Sequence, residues 1–530
     1  MFRNPGDLAL LDDPEWLTMR ACGDWVFYLH VARGGKIAYT NQTKSYYRFH
    51  QANASRGSYL TPEYYHEHEI VARTVARLYQ VEPQVFERQF HFLREHWESV
   101  FKDQPQPSWK LEDCYDVARI REAAASRLPN LLIVTHDLST GGGEIFPIRL
   151  AEALAKQGYG VTFFNLDGST APPIFRDLLP AAIPVIHYER SSLDLKRMLL
   201  HLGIDIVHTH HAGSDDRFAR LFSPGEPRPR HVVTMHGMYE VLDVADLERR
   251  QDMLQAAVDH WVYTADKNLD PFVINRLCGN ARFTKIPLGM SLPRLSPINR
   301  AEIGIPPDAF VVCLASRALF EKGWLEAVLA IGMVREQTGR DVHLVLVGEG
   351  PAAEQLREAA IPSFVHLVGF QRSPVDYFAM ADLGLLPTRY RSESCPLVII
   401  ECMMAGRPVV SCDVGEIASM LTAPNGKMAG TVIRLKDWMI PIHDLAAAIR
   451  RFVVDDRAYL EATGAVAAAR ERFDIRAIAQ AYRKIYAESS LPDPRNSSGG
   501  GAPRAGLSQE RLLRPLLDQI DHSVDVELPA

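Results

Sequence analysis

Arg391 to Asp413 reads RSESCPLVIIECMMAGRPVVSCD, and the fold of the whole chain turns on how this stretch is read. It opens as a polar loop, continues as an apolar helical run and closes on a short strand, PVV. Two carboxylates, Glu393 and Glu401, stand eight positions apart, slightly more than two turns of helix. With Ser394, Cys395, Pro396 and Leu397 opening the helix, Glu393 falls in the loop above its N-terminus and Glu401 on its second turn. Free backbone N–H groups at such an N-terminus suit an anion. The pattern predicts a pocket for a nucleotide-activated sugar, in which carboxylates accept from hydroxyls and N–H groups face a pyrophosphate. Alone, the glutamate pair fits an ordinary amphipathic helix better. The surrounding chain decides.

Upstream, strands and helices alternate. After Pro293–Pro306, FVVCLAS reads as a first strand, and Arg317-Ala-Leu-Phe-Glu-Lys322-Gly323 as the loop into the next helix. Two cations at a strand's carboxyl end, with a glycine permitting close approach, suit a pyrophosphate. HLVLVGEGP, FVHLVGF and ADLGLLPT add strands, and helices run from Asp444 to about Ala487. A similar half begins at Leu131. LLIVTH is an apolar run of the kind covered on both faces of a parallel sheet. A glycine-rich turn follows (Leu138-Ser139-Thr140-Gly141-Gly142-Gly143-Glu144), then the helix IRLAEALAKQG and the strand VTFFNL, a βαβ unit. Further strands fall around Ile183–Ile186, IDIVHTHH and HVVTMHG, and His236 ends the last of these at the sheet's carboxyl edge, where doubly wound folds bind ligands. His208 and His210 share one strand face and His211 takes the other. Beside Asp205, Asp215 and Asp216 they are read as strand-end histidines, not as metal ligands.

Four elements in order, G-G-x-E, T-x-H-G, R-x4-K-G and E-x7-E, resemble the family-4 retaining glycosyltransferases over roughly residues 130 to 487. The resemblance implies an α/β GT-B fold: two Rossmann-like doubly wound domains facing a cleft, the acceptor domain at 127–295 and the donor domain at 296–487. It implies that Arg317 and Lys322 neutralise the leaving nucleoside diphosphate, helped by Gly323 and by the segment Ser394, Cys395, Pro396 and Leu397, whose N–H groups, Pro396 having none, face the phosphates. Glu401 would hold the ribose hydroxyls and Glu393 those of the sugar ring, while His236 would orient the sugar at its anomeric carbon. Gly141, Gly142, Gly143 and Glu144 would lie against the donor phosphates and the acceptor. No covalent nucleophile stands out, so retention implies same-face attack, with the leaving phosphate taking the acceptor's proton and no metal or other cofactor required. The chain departs from the family pattern at Thr264-Ala265-Asp266, at Leu288-Gly289, at Ser316 before Arg317, and at DVGEI, where Gly-Gly is common.

Residues 1–126 form a separate aromatic-rich block, expected to be α+β. Gly23 to His50 is similar to the C-terminal end of a family-2 glycosyltransferase domain, in which Asp24 would stand at the position of a base. The nucleotide-binding strands and D-x-D segment of that family would have to precede this point, in a longer chain. The block is therefore read as a remnant or docking module. GDWVFYLHVARGGKIAYTN predicts a helix, a Gly34-Gly35 turn and a strand, and the aromatics Trp16, Trp25, Phe27, Tyr28, Tyr39, Tyr46, Tyr47 and Phe49 are read as core. Two helices broken near Pro83 cover residues 63–101, with His66, Glu67, His68 and Glu69 expected on a solvated face, and 102–128 as a linker. Residues 488–530 read as a disordered tail, ending in an amphipathic segment, ERLLRPLLDQI.

The 530 residues carry a net charge of −7, which argues against a nucleic-acid partner, and seven scattered cysteines without a C-x-x-C pair suggest neither disulfides nor zinc. No apolar run reaches the length of a membrane span. The expected setting is cytoplasmic, with at most peripheral contact at the inner membrane face. The partners implied are a nucleotide-diphosphate sugar, a glycan or lipid-linked acceptor and other glycosyltransferases. Two other readings remain at this stage: a non-catalytic scaffold recruiting another glycosyltransferase, and a dinucleotide-dependent oxidoreductase, which explains the first βαβ unit but not Arg317, Lys322 or the paired glutamates.

Overall fold

The computed structural model describes residues 9–33, 57–136, 141–167, 178–180, 183–188, 194–223, 225–274, 282–359 and 361–488. Two parallel sheets carry the fold. The first joins β1 (Asn130–Thr135), β2 (Gly160–Asn165), β3 (Val185–His187), β4 (Ile206–Thr209), β5 (Arg230–Met235), β6 (His260–Tyr263) and β7 (Phe283–Lys285), in the spatial order 3-2-1-4-5-6-7. The second joins β8 (Phe310–Ala315), β9 (Val342–Val347), β10 (Val365–Gly369), β11 (Leu383–Leu386), β12 (Val409–Cys412) and β13 (Gly430–Ile433), ordered 10-9-8-11-12-13. Each order reverses beside its first strand, and the carboxyl ends there open a crevice. The apolar runs explain the sheets: every residue of β1, β2 and β9 is buried, as sheets covered by helices on both faces require.

The chain crosses between the domains twice, and the crossings are tied. Met290 pairs with Asp474 in a parallel bridge, and a Cβ on Gly289 would fall 2.7 Å from the Phe473 carbonyl oxygen. Beyond the second crossing, the helix Ile475–Ala487 returns onto the first domain and packs on the helix Gly142–Lys156. Its apolar stripe buries Tyr482 and Tyr486, whose hydroxyls reach Thr234 Oγ1 at 2.9 Å and His208 Nδ1 at 2.8 Å. Buried phenols need such partners. Arg230 closes the helix end by donating to the carbonyls of Ile485 and Tyr486.

The N-terminal block differs from expectation in three ways. Trp25 and Tyr28, expected in the core, are exposed on the helix Gly23–Ala32, which the block combines with the helices Pro14–Thr18, Pro62–Leu78, Pro83–Val100, Leu111–Cys114 and Val117–Ala125. The predicted Gly34-Gly35 turn and strand, with Tyr39, Tyr46, Tyr47 and Phe49, lie outside the described residues, as do 489–530 of the tail. Residues 102–128 are not simply a linker, because Leu111, Cys114, Tyr115 and Ile120 are buried in the block's own core. Nor is the His66–Glu69 cluster a solvated face. Glu67 is buried and accepts the N–H groups of Arg20, Ala21 and Cys22 at 2.6, 2.7 and 2.7 Å, while buried Glu69 pairs with Arg73 and His66. The turn before the helix Gly23–Ala32 needs an acceptor, and Glu67 supplies it.

Candidate active site

The second domain's wall is built on the helix Leu397–Met404, with Pro396 at its N-cap. No side chain caps that end, so its first N–H groups remain available to a ligand. Glu393 and Ser394 lie buried in the loop before it. The Glu393 carboxylate receives the Lys322 ammonium and, at 3.3 Å, the Thr388 hydroxyl. The ammonium also lies 4.8 Å from the centre of the Tyr390 ring. Lys322 reaches this position because Gly323 takes φ +73°, and any side chain there would strike the Pro387 carbonyl. Ser316, where the family has glycine, accepts the indole N–H of fully buried Trp324 at 2.9 Å. Arg317 is exposed beside it and makes no ion pair with a described residue. A cation held on a carboxylate and another free in the same loop can transfer charge to an incoming diphosphate.

The facing wall comes from the first domain. His236 follows β5, half-buried, with Nε2 3.0 Å from His210 Nδ1 and the two rings stacked. Loss of solvation, reinforced by His211, pushes its imidazole down to about 3, so it is neutral near pH 7. Two neutral imidazoles in contact share one proton, so His210 constrains the tautomer of His236. The expected glycine loop is in part helix. Gly141 is the N-cap, and Gly142, Gly143 and Glu144 form the first turn of Gly142–Lys156, whereas Leu138, Ser139 and Thr140 lie outside the described residues. That first turn lies within ordinary contact distance of both walls. A Cβ on Gly143 would lie 3.7 Å from His236 and one on Gly142 would lie 3.7 Å from Leu397 of the donor helix.

The two walls meet. Asn268 Nδ2 donates to Ser394 Oγ at 2.9 Å, Lys267 donates to the Arg391 carbonyl, and the Asp266 N–H reaches Glu416 Oε1 at 2.8 Å. Lys285 bridges Asp266 and Glu416 at 2.7 and 2.9 Å. Gly237 takes φ +95°, and a Cβ there would fall 2.4 Å from the Ser392 carbonyl oxygen. The domains are therefore apposed across the cleft. His236, Glu393, Ser394, Lys322 and the first turn of Gly142–Lys156 are brought to one place. Cys395 is buried behind the wall, its thiol pushed up to about 12 by burial, so it serves packing. Glu401 lies on the second turn, but its carboxylate accepts Arg149 of the first domain at 2.7 Å. Arg149, Asn268, Lys267 and Glu416 were not read from the sequence. The departures at Thr264-Ala265-Asp266 and DVGEI marked two of these places, because both segments turn out to be interdomain contacts.

Comparison with known proteins agrees with this geometry. Residues 140–274 match the family model described as Glycosyltransferase Family 4, and residues 309–455 match that for glycosyl transferases group 1. The crystal structure of Anabaena HepE in complex with UDP and glucose superposes with a TM-score of 0.55 at 17% identity, covering 68% of this chain and 99% of that one. The protein is thus of the GT-B class. The two family-model matches fall one on each sheet domain, in that order. TuaC of Bacillus subtilis, a glycosyltransferase named for teichuronic acid biosynthesis, is 27% identical over 47% of this chain and 61% of its own length. LpsD of Rhizobium meliloti, named for lipopolysaccharide core biosynthesis, is 31% identical over 36% of this chain and 53% of its own. The chain thus spans between half and two-thirds of the length of these two relatives. Among the described residues, no helix is long and apolar enough to cross a membrane.

Proposed function

We propose that the protein is a retaining, metal-independent glycosyltransferase that moves a sugar from a nucleotide-diphosphate sugar to a glycan or lipid-linked acceptor in polysaccharide assembly. The observation that carries the reading is the buried Lys322–Glu393 pair, set beside an uncapped helix N-terminus and across the cleft from a neutral histidine. On donor binding the diphosphate takes the Lys322 cation, with Arg317 and the N–H groups of the helix Leu397–Met404 adding charge stabilisation as the β-phosphate leaves. Glu393, released from Lys322, accepts hydroxyls of the sugar ring, and His236 donates or accepts at the sugar without changing charge. The acceptor oxygen attacks the anomeric carbon from the face the phosphate leaves, and that phosphate takes the acceptor's proton. Both positive charges come from side chains, so the step calls for no metal. Apposed domains limit water access and hence hydrolysis. Asp24 takes no part in this reading. It is exposed at the first turn of its helix, accepting its neighbour Trp25's N–H at 3.0 Å.

The test is turnover of UDP-, GDP- and ADP-sugars, UDP-glucose first, by the purified chain. Release of one nucleoside diphosphate, lost in Arg317→Ala and Lys322→Ala, is expected. Equal release by the variants would refute the assignment. A scaffold role is the second reading, favoured by the exposed Leu17, Trp25 and Tyr28 of the N-terminal block. Binding of no sugar nucleotide at all would establish it over catalysis.

A further inference from the structure

Arg149 lies two turns into the helix Gly142–Lys156, whose first turn faces His236 and Leu397. Its guanidinium makes two contacts of different kinds. One terminal nitrogen donates to Glu401 Oε1 at 2.7 Å, and the other lies 3.8 Å from the sulfur of Met290. Met290 is the residue bridged to Asp474, where the two interdomain crossings are tied. One side chain of the acceptor domain therefore touches both the donor helix and the hinge. The ion pair is partly buried, with 24% of the Arg149 and 12% of the Glu401 side chain exposed, so it is screened less than a surface pair. No described residue donates to Glu401 Oε2.

We infer that Arg149 is a positioning residue for the donor nucleotide. It holds the Glu401 carboxylate in one rotamer by Oε1 and leaves Oε2 to accept ribose hydroxyls, so that the ribose anchor is complete only while the domains are apposed. The inference rests on the proposed role of Glu401 as that anchor. A carboxylate can accept from a guanidinium and a hydroxyl at once, because each oxygen offers two lone pairs. Sharing links two equilibria. Whatever holds the domains together strengthens nucleotide binding, and nucleotide binding by the same factor favours apposition.

The experiment measures binding of UDP, GDP and ADP to the full chain by titration calorimetry, using wild type, Arg149→Gln, Arg149→Lys, Glu401→Ala and the double variant Arg149→Gln/Glu401→Ala. For the nucleotide that wild type binds, Arg149→Gln should weaken binding about tenfold, within the usual range of coupling between sites, and Arg149→Lys should recover part of it. The double variant should bind no worse than Glu401→Ala, because Arg149 acts through that carboxylate. Unchanged binding in Arg149→Gln, or losses that multiply in the double variant, would overturn the inference while leaving Glu401 in place. Wild-type affinity in Glu401→Ala would instead remove the ribose assignment, and the inference with it. Binding of none of the three nucleotides by wild type would overturn both. Should the glutamine variant fail to fold, Arg149→Lys carries the test by the same comparison with Glu401→Ala.

Discussion

Removing Glu393 tests the central pair most sharply. Lys322 and Glu393 are each 8% exposed, so Glu393→Ala strands an ammonium in a low-dielectric pocket with the Tyr390 ring beside it. Breaking a buried pair in this way costs about 3–5 kcal/mol, because desolvation is no longer offset. For a domain of this size that corresponds to a melting temperature lower by about 6 °C or more. Removing both charges, in Lys322→Ala/Glu393→Ala, should cost less than removing Glu393 alone, since no unpaired ion remains. Nucleotide supplies the second arm. In wild type a diphosphate must draw Lys322 away from Glu393, whereas in Glu393→Ala it provides the missing counter-charge. Saturating nucleoside diphosphate should therefore raise the melting temperature of Glu393→Ala by more than that of wild type, where a hundredfold excess over Kd gives about 2.7 kcal/mol. A nucleoside diphosphate without sugar is the right probe, because it leaves aside any contact of Glu393 with the sugar ring. The reasoning is refuted if Glu393→Ala melts with wild type, or if the double variant is the least stable of the three.

Three further outcomes are expected. His236 is pushed down to about 3 and stays neutral through the working range, so the pH–rate profile should show no acid limb between pH 5 and 8 that disappears in His236→Gln; such a limb would place a charged imidazole in the mechanism. Asp215, fully buried against the Tyr239 hydroxyl at 2.7 Å, is pushed up from 3.8 to about 7 by burial. An acid with a raised folded value binds more protons folded than unfolded, so its contribution to stability falls as pH rises from about 4 to 7. Asp215→Asn should accordingly stabilise the protein at pH 8, by at most about 4 kcal/mol at 1.36 kcal/mol per unit, and not at pH 4, as thermal melts at both pH values would show. Gly237→Ala should separate the domains or fail to fold, because its φ of +95° and the Ser392 carbonyl oxygen 2.4 Å from a new Cβ leave no room; a wild-type radius of gyration by small-angle scattering, with full turnover, would show that the cleft tolerates the methyl group.

The strands and the order of the two domains were legible because each rests on a local rule. Apolar runs such as LLIVTH and FVVCLAS leave few alternatives to a buried parallel strand. The donor loop was legible for the same reason, since the N-terminus at Pro396 and the register of Glu401 follow from helical periodicity alone. The errors fell where long-range partners decide. The cluster at His66–Glu69 looks solvated by composition, yet Glu67 is called inward by three N–H groups some 45 positions away, which periodicity does not see. Residues 102–128 look like a linker until the helix carrying Ile120 packs on Pro62–Leu78 and Tyr115 stacks on Phe90.

The same distinction applies inside the site. The position of Glu401 on its helix follows from spacing, whereas its partner Arg149, 252 residues away on the other domain, does not. Asn268 and Ser394 are likewise far apart in the chain and joined by one hydrogen bond across the cleft. Motif residues lie on single elements at fixed spacings and carry a local signature. The residues that hold the two walls together have no such spacing, because their geometry exists only once both domains have folded. A two-domain cleft of this design thus shows the groups of each wall in its sequence and conceals those that hold the walls together. Arg149, Lys267 and Glu416 belong to the second set, and substitutions there should alter closure and nucleotide affinity together while leaving each separate domain intact.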